Sequence, residues 1–170
     1  MSSYLLRVPV ADDVPQIASL LVECWKQTYA ELLPEGFFTD EHHASRVRQW
    51  ERITADLHER PEMGLRPMLA VFGEQAVGVA LAGPVRSESD RATGAKLSLH
   101  MLYVLREHHG TGVGQRLLDA VLGHEPTMLW VAQENPRAIA FYQRNGFSFD
   151  GRTEQDPAAP AITDARMLRL

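Results

Sequence analysis

Apolar positions recur along this chain with two periods, and the switches between those periods mark out its elements. "YLLRVPV" (4–10) is β-rich, and Asp12 and Asp13 follow as helix N-caps with Pro15 in the first turn. Val14, Ile17, Leu21, Cys24, Trp25 and Thr28 then recur at spacings of three and four, which predicts an amphipathic helix to about Tyr29. A second helix is predicted from Glu41 to Arg60, with Ala44, Val47, Trp50, Ile53 and Leu57 on one stripe and Pro61 as its stop. The period then shortens. "RPMLAVFG" (66–73) and "QAVGVALAG" (75–83) form a hairpin signal around Gly73-Glu74, a polar loop follows, and "KLSLHMLYVL" (96–105) is the longest strand candidate.

Val113, Leu117, Leu118, Val121 and Leu122 restore a helical stripe, "TMLWVA" (127–132) is strand-like, and "NPRAIAFYQRNGF" is a punctuated helix. Asn135 is its N-cap, Pro136 takes the first helical position and Gly146 follows the last turn. Two closing strands, 147–152 and 165–170, flank a loop holding Pro157 and Pro160. The order β α α β β β α β α β β predicts an α+β (layered α/β) fold with one central mixed sheet covered on both faces.

Composition narrows the class. With 170 residues, 45% hydrophobic and 23% charged, the chain is an ordinary globular protein, expected to form a single domain over 1–170. A net charge of −5 argues against a nucleic-acid or anionic-membrane partner and mildly favours a cationic small molecule or peptide. Cys24 is the only cysteine, so neither a disulfide nor a Cys-rich zinc site is available. His42 and His43 face different directions on a helix and are read as surface residues, so no metal is expected. No signal peptide or long apolar run is present, which leads to the expectation of a cytoplasmic protein.

The chemistry concentrates in "HHGTGVGQRLL" (108–118), where Gly110, Gly112 and Gly114 alternate between a strand and a helix start. Glycines there free the backbone to present several N–H groups, and phosphate is the natural guest. The plainer reading is that Gly110 makes a turn while Gly112 and Gly114 allow close helix–sheet packing. A P-loop is excluded because no Lys follows Gly112 or Gly114, and Gln115 stands where a dinucleotide fingerprint needs its third glycine.

"LHMLYVLREHHGTGVGQRLLDAV" followed by "ENPRAIAFYQRNGF" resembles the GNAT family of acetyl-CoA-dependent N-acetyltransferases. That family carries Arg or Gln, two variable residues, Gly, one variable residue and Gly or Ala directly after a strand ending "LYV". Here the positions are His109, Gly112 and Gly114, so a histidine replaces the usual Arg or Gln. The second motif is intact in Asn135, Phe141, Tyr142, Asn145, Gly146 and Phe147. The resemblance implies a mostly antiparallel mixed sheet of about seven strands with about four flanking helices.

It also implies that backbone groups of Leu102, Tyr103 and Val104 hold the pantetheine arm of acetyl-CoA. The turn of His109, Gly110, Thr111, Gly112, Val113 and Gly114 would take the pyrophosphate, and a protonated His109 could add a donor. A backbone N–H near Leu102 would face the thioester carbonyl, and Asn135 would cap its helix and touch the cofactor. Tyr142 would be the general acid to the leaving sulfur, by direct attack of the amine without a covalent enzyme intermediate. Alternation places Ser98, His100 and Leu102 on one strand face and Leu97, Leu99, Met101 and Tyr103 on the other. Many relatives have Glu near position 98; with Ser98 there, His100 becomes the candidate base, and Glu134 a weaker one. Trp25, Tyr29 and Phe38 would line the acceptor cleft with the 152–163 loop. A homodimer is common in the family. A non-catalytic acyl-CoA-binding module is the alternative, and a nucleotide-phosphate binder of another fold a weaker one.

Overall fold

The computed structural model describes residues 3–170. Its strands are β1 (Tyr4–Arg7), β2 (Arg66–Phe72), β3 (Gln75–Pro84), β4 (Leu97–Val104), β5 (Thr127–Ala132), β6 (Ser148–Gln155) and β7 (Thr163–Arg169). The helices are α1 (Val14–Tyr29), α2 (Asp40–Glu59), α3 (Glu88–Arg91), α4 (Val113–Leu122) and α5 (Pro136–Arg144). The seven strands form one sheet in the order β1-β2-β3-β4-β5-β7-β6, antiparallel except for the β4–β5 pair. This is the α+β layered architecture with one mixed sheet expected from the element order, and its seven strands match the number that the resemblance implies, with five helices in place of about four.

The boundaries differ in four instructive places. β1 stops at Arg7 because Pro9 offers no N–H, and the Val10 amide turns to the Asp13 carboxylate at 2.8 Å. Asp13 therefore does not cap α1; it pairs with Arg7 at 2.6 Å. The polar loop hides the single turn of α3, capped by Ser87, whose hydroxyl accepts from the Asp90 amide at 3.0 Å. β6 and β7 run longer than expected because Thr153–Gln155 pair with Ala165–Thr163 through polar residues that carry no apolar alternation.

The core joins α1, α2 and α4 to the sheet through Ile17, Leu21, Trp50, Leu69, Val79, Leu117, Leu118, Leu129 and Met167. One close approach demands a glycine. A Cβ on Gly78 of β3 would stand 3.0 Å from Leu117 Cδ1 and 3.1 Å from the Tyr103 carbonyl, so this position seats α4 on the sheet. At the far end, buried Arg166 of β7 ties α3 and β6 together through Asp90 at 2.9 Å and Asp150 at 2.6 Å.

Two irregularities around β4 set up the site. The β3–β4 register shifts so that Ala82 pairs with Leu99 while Leu81 pairs with Met101, which leaves His100 as an extra, bulged residue. The simple alternation expected from sequence is thereby corrected. Ser98, Met101 and Tyr103 share the face of Gly83, Leu81 and Val79, whereas Leu99, Leu102 and Val104 share that of Ala82, Ala80 and Gly78. In addition, β4 and β5 pair only over Leu97–Leu99 with Thr127–Leu129, and beyond that point the two strands part.

Candidate active site

The parted strands open a groove of about 820 Å³ lined by Leu99–Val104 of β4, Trp130–Ala132 of β5, the turn from His108 to Gln115, and α5. Its β4 wall is an unpaired strand edge. The Leu105 amide donates to the Val77 carbonyl at 2.9 Å, so the backbone groups of Tyr103 and Met101 also point to β3. Those of Leu102 and Val104 therefore point into the opened seam, where the His109 ring covers the Val104 carbonyl.

The glycine turn closes one end. Gly110 (φ +75°) and Gly112 (φ +85°) hold left-handed conformations that β-carbon-bearing residues rarely adopt, and a Cβ at either would meet nothing within 4 Å. At Gly114 a Cβ would make only an ordinary 3.8 Å contact with Val104, so tight helix packing explains none of the three glycines. Among the described residues, the amides of Gly110, Gly112, Gly114 and Gln115 have no acceptor in the chain. They lie around the N-terminus of a ten-residue helix whose dipole favours an anion. The turn thus fits a pyrophosphate, and the seam fits an extended amide-bearing arm.

Not every donor expected from sequence is free. The His109 amide donates to the Arg106 carbonyl at 3.1 Å, and the Val113 amide makes a long 3.5 Å contact with Thr111 Oγ1. The His109 ring is committed as well: Nε2–H donates to the Val104 carbonyl at 2.8 Å, which leaves Nδ1 buried without a partner. Histidine at this position therefore pins the turn to the strand end, instead of offering a side-chain donor to the groove.

Tyr142 on α5 and Asn135 at its start both line the groove. Asn135 Oδ1 accepts from the Ala138 amide at 3.1 Å, as a cap should, while its Nδ2 donates to the Tyr29 hydroxyl at 3.2 Å. Tyr142 is 8% exposed, packs edge-on against Phe141 and Phe147, and has no hydrogen-bond partner for its hydroxyl among the described residues. Burial raises its pKa strongly, so the phenol keeps its proton at neutral pH. Tyr29 is pushed up to about 12 for the same reason, and so is the buried Cys24 thiol, which is therefore unreactive.

His100 lies at the bulge with its ring against Gly83, where a Cβ would come 3.2 Å from Nε2. The residue is exposed on its open side, while desolvation of the ring against its neighbours, then the charge of Arg86, lowers its proton affinity. Tyr103 is corrected in part: its backbone belongs to β4, but its side chain turns to α1, where Trp25 Nε1–H donates to its hydroxyl at 3.0 Å. Trp25 and Tyr29 line the groove and pack together at 5.1 Å. Phe38 does not reach it; it packs on Phe37 and His42, with Lys26 5.6 Å from its ring centre. His42 is half-buried between those rings, not a plain surface residue. Glu134 lies at the rim, where its carboxylate accepts from the Thr163 amide at 3.1 Å. Asp164, which no motif singles out, lines the groove half-buried with its proton affinity raised by burial and by Glu134. Among the described residues, no group of three His, Cys, Asp or Glu side chains is placed to hold a metal, and no helix is long and apolar enough to cross a membrane.

Comparison with known proteins identifies a family and a shared fold. The family model of the acetyltransferase (GNAT) family matches residues 19–147. A probable N-acetyltransferase of Mycobacterium tuberculosis is 27% identical over 155 residues, covering 89% of this chain and 84% of that protein. An uncharacterized N-acetyltransferase of Bacillus subtilis is 28% identical over 149 residues, covering 81% and 76%. Among solved structures, the PaiA N-acetyltransferase of Thermoplasma acidophilum in complex with coenzyme A superposes with a TM-score of 0.67 at 18% identity, covering 98% of both chains. An N-acetyltransferase from Staphylococcus aureus gives 0.71 at 15% identity, covering 99% and 98%.

Proposed function

The chain belongs to the acetyltransferase (GNAT) family, and on that premise we propose that it transfers an acetyl group from acetyl-CoA to a primary amine of a small molecule or peptide, by direct attack. The observation that carries this reading is the seam: an unpaired β4 edge that runs from the His100 bulge to a turn of unpaired amides. Acetyl-CoA supplies the activated acyl group as a thioester. The chain's part is to bind and orient. Amides of Gly110, Gly112, Gly114 and Gln115 hold the pyrophosphate, and the Leu102 backbone with the Val104 amide holds the pantetheine arm as an added strand, the Val104 carbonyl being taken by the His109 ring. Fixing the long arm confines the reacting end, which converts an encounter between two molecules into an oriented step.

The Leu102 N–H faces the thioester carbonyl and stabilises charge developing on its oxygen. His100, neutral at pH 7 and open to the groove, takes the proton released by the attacking amine, directly or through water. Tyr142 donates a hydrogen bond to the departing sulfur. Because burial makes it a reluctant acid, its role is to stabilise the thiolate and pass a proton only as that charge builds. Trp25 and Tyr29 flank the approach of the acceptor.

Thermal unfolding with acetyl-CoA, CoA, ATP and NAD, followed by amine-dependent thiol release, tests the reading. Ligand at a hundredfold over its dissociation constant adds about 2.7 kcal/mol of stability, expected for acetyl-CoA and CoA alone. Tyr142→Phe is expected to keep that stabilisation and to lose roughly a hundredfold in kcat. No stabilisation by either coenzyme in folded protein overturns the reading; unchanged turnover in the variant removes Tyr142 from it.

A further inference from the structure

A second groove, of about 710 Å³, lies between α2, the Leu21–Trp25 stretch of α1, Leu81 of β3 and the His100–Tyr103 stretch of β4. It shares Trp25, His100, Met101 and Tyr103 with the seam groove, so the two meet at the β4 bulge. Its charge is opposite to that of the chain. The whole protein carries −5, yet this groove gathers Arg46, Arg48, Arg52 and Arg86 around a single acid, Asp56. That acid is already matched, because Arg60 donates to its Oδ1 at 2.6 Å.

The arginines are largely unmatched. Arg48 pairs with exposed Glu41, and Arg46 donates to the neutral Gln49 side chain at 3.2 Å. Among the described residues, Arg52 and Arg86 have no carboxylate within 4.0 Å. Arg48 and Arg52 stand four apart on α2, a like-charge spacing that costs helix stability. The field reaches the bulge: after burial, Arg86 is the further cause of the lowered proton affinity of His100, and Arg46 that of His42. An arrangement that repels itself in the free protein is relieved by an anion, and planar guanidinium groups suit carboxylates and phosphates.

We propose that the acceptor is an anionic amine, its carboxylate or phosphate held among Arg46, Arg52 and Arg86 and its amino group delivered past His100 to the seam. This rests on the transferase reading. The seam groove contributes the complementary charge through Glu134, Asp156 and Asp164, which attract the ammonium end, while its arginines, Arg106 before the glycine turn and Arg137 and Arg144 on α5, belong to the elements that would hold the coenzyme. Local charge therefore reverses the cationic acceptor that the net charge of the chain suggests. The arginines act as specificity residues, without touching the reacting atoms.

Acceptors matched in length separate the cases: 4-aminobutanoate, 3-aminopropyl phosphate, 4-aminobutanol and 1,4-diaminobutane, each assayed by thiol release at saturating acetyl-CoA. The expected result is kcat/KM roughly tenfold or more higher for an anionic acceptor than for the alcohol, with the diamine poorest. Comparing the carboxylate with the phosphate identifies the anion. Arg86→Gln and Arg52→Gln, at exposed positions, are each expected to raise KM for the anionic acceptor roughly tenfold while kcat stays within about threefold. Turnover that favours the alcohol or diamine, or KM values unmoved in both variants, overturns the proposal and leaves the transferase reading intact. If acetyl-CoA neither binds nor reacts but anionic amines still stabilise the wild type and not the variants, the transferase reading fails and the anion site stands.

Discussion

At the residue scale, His100 shows how a backbone irregularity turns a common side chain into a poised one. Its folded-state pKa lies below the ordinary 6.5, first through burial and then through Arg86. The unfolded chain therefore takes up the proton before the folded one, so this residue subtracts stability as pH falls below 6.5, and the penalty grows down to the folded pKa. In the proposed role of base, its lowered proton affinity places the acid limb of kcat/KM below pH 6.5. In His100→Asn that limb is expected to disappear with a large loss of rate, read from a pH–rate profile with the anionic acceptor. A limb unchanged in position and amplitude assigns the base elsewhere, with Asp164 next in line. The resemblance to the GNAT family singled out Leu102 and Val104, and alternation on β4, together with Ser98 where relatives carry Glu, singled out His100. The bulge was not legible, because period-two alternation assumes a register that only the partner strand reveals. The arginine groove escaped for a related reason: its members come from α2 and from the loop after β3, and no local pattern joins them.

At the scale of elements, the glycines divide into two kinds that the letters alone do not distinguish. Gly110 and Gly112 are required by left-handed backbone in an open turn, whereas Gly78 is required by contact, beneath Leu117 of α4. Gly78→Val is therefore expected to destabilise the fold by about 1–3 kcal/mol, the usual cost of overpacking, seen as a lower urea midpoint. A midpoint unchanged by the extra volume would mean that α4 has slack at this contact. Helix punctuation was the most legible feature of all. Asn135, Pro136 and Gly146 mark α5 because cap chemistry is local, whereas α3 is too short to show a period and β6 too polar.

At the scale of the whole molecule, the sheet is two antiparallel halves, β1–β4 and β5–β7–β6, joined in their ladder by the short Leu97–Leu99 pairing with Thr127–Leu129. Coenzyme A in the seam should therefore slow hydrogen exchange at the Leu102 and Val104 amides and through Gly110–Gln115, while the β1–β2 pair exchanges as before. A thermal shift without protection at these amides would put the ligand somewhere else. A single mixed sheet was legible from the succession of elements, but the insertion of β7 between β5 and β6 and the parting of β4 from β5 were not, since nothing in the strands' composition marks their neighbours or where a parallel pair ends.

The parting has a cost in the unliganded molecule. The outer edge at β6 is guarded against stray pairing by a register break and by Asp150, Arg152 and Glu154. The inner edge has less of a guard: only the Val104 carbonyl is covered, by the His109 ring, and the Leu102 groups and the Val104 amide form a template for an extended segment that enters from an unfolding neighbour. Whatever fills the seam in the cell is thus also its stopper, and the persistence of the protein is coupled to the supply of that molecule independently of turnover.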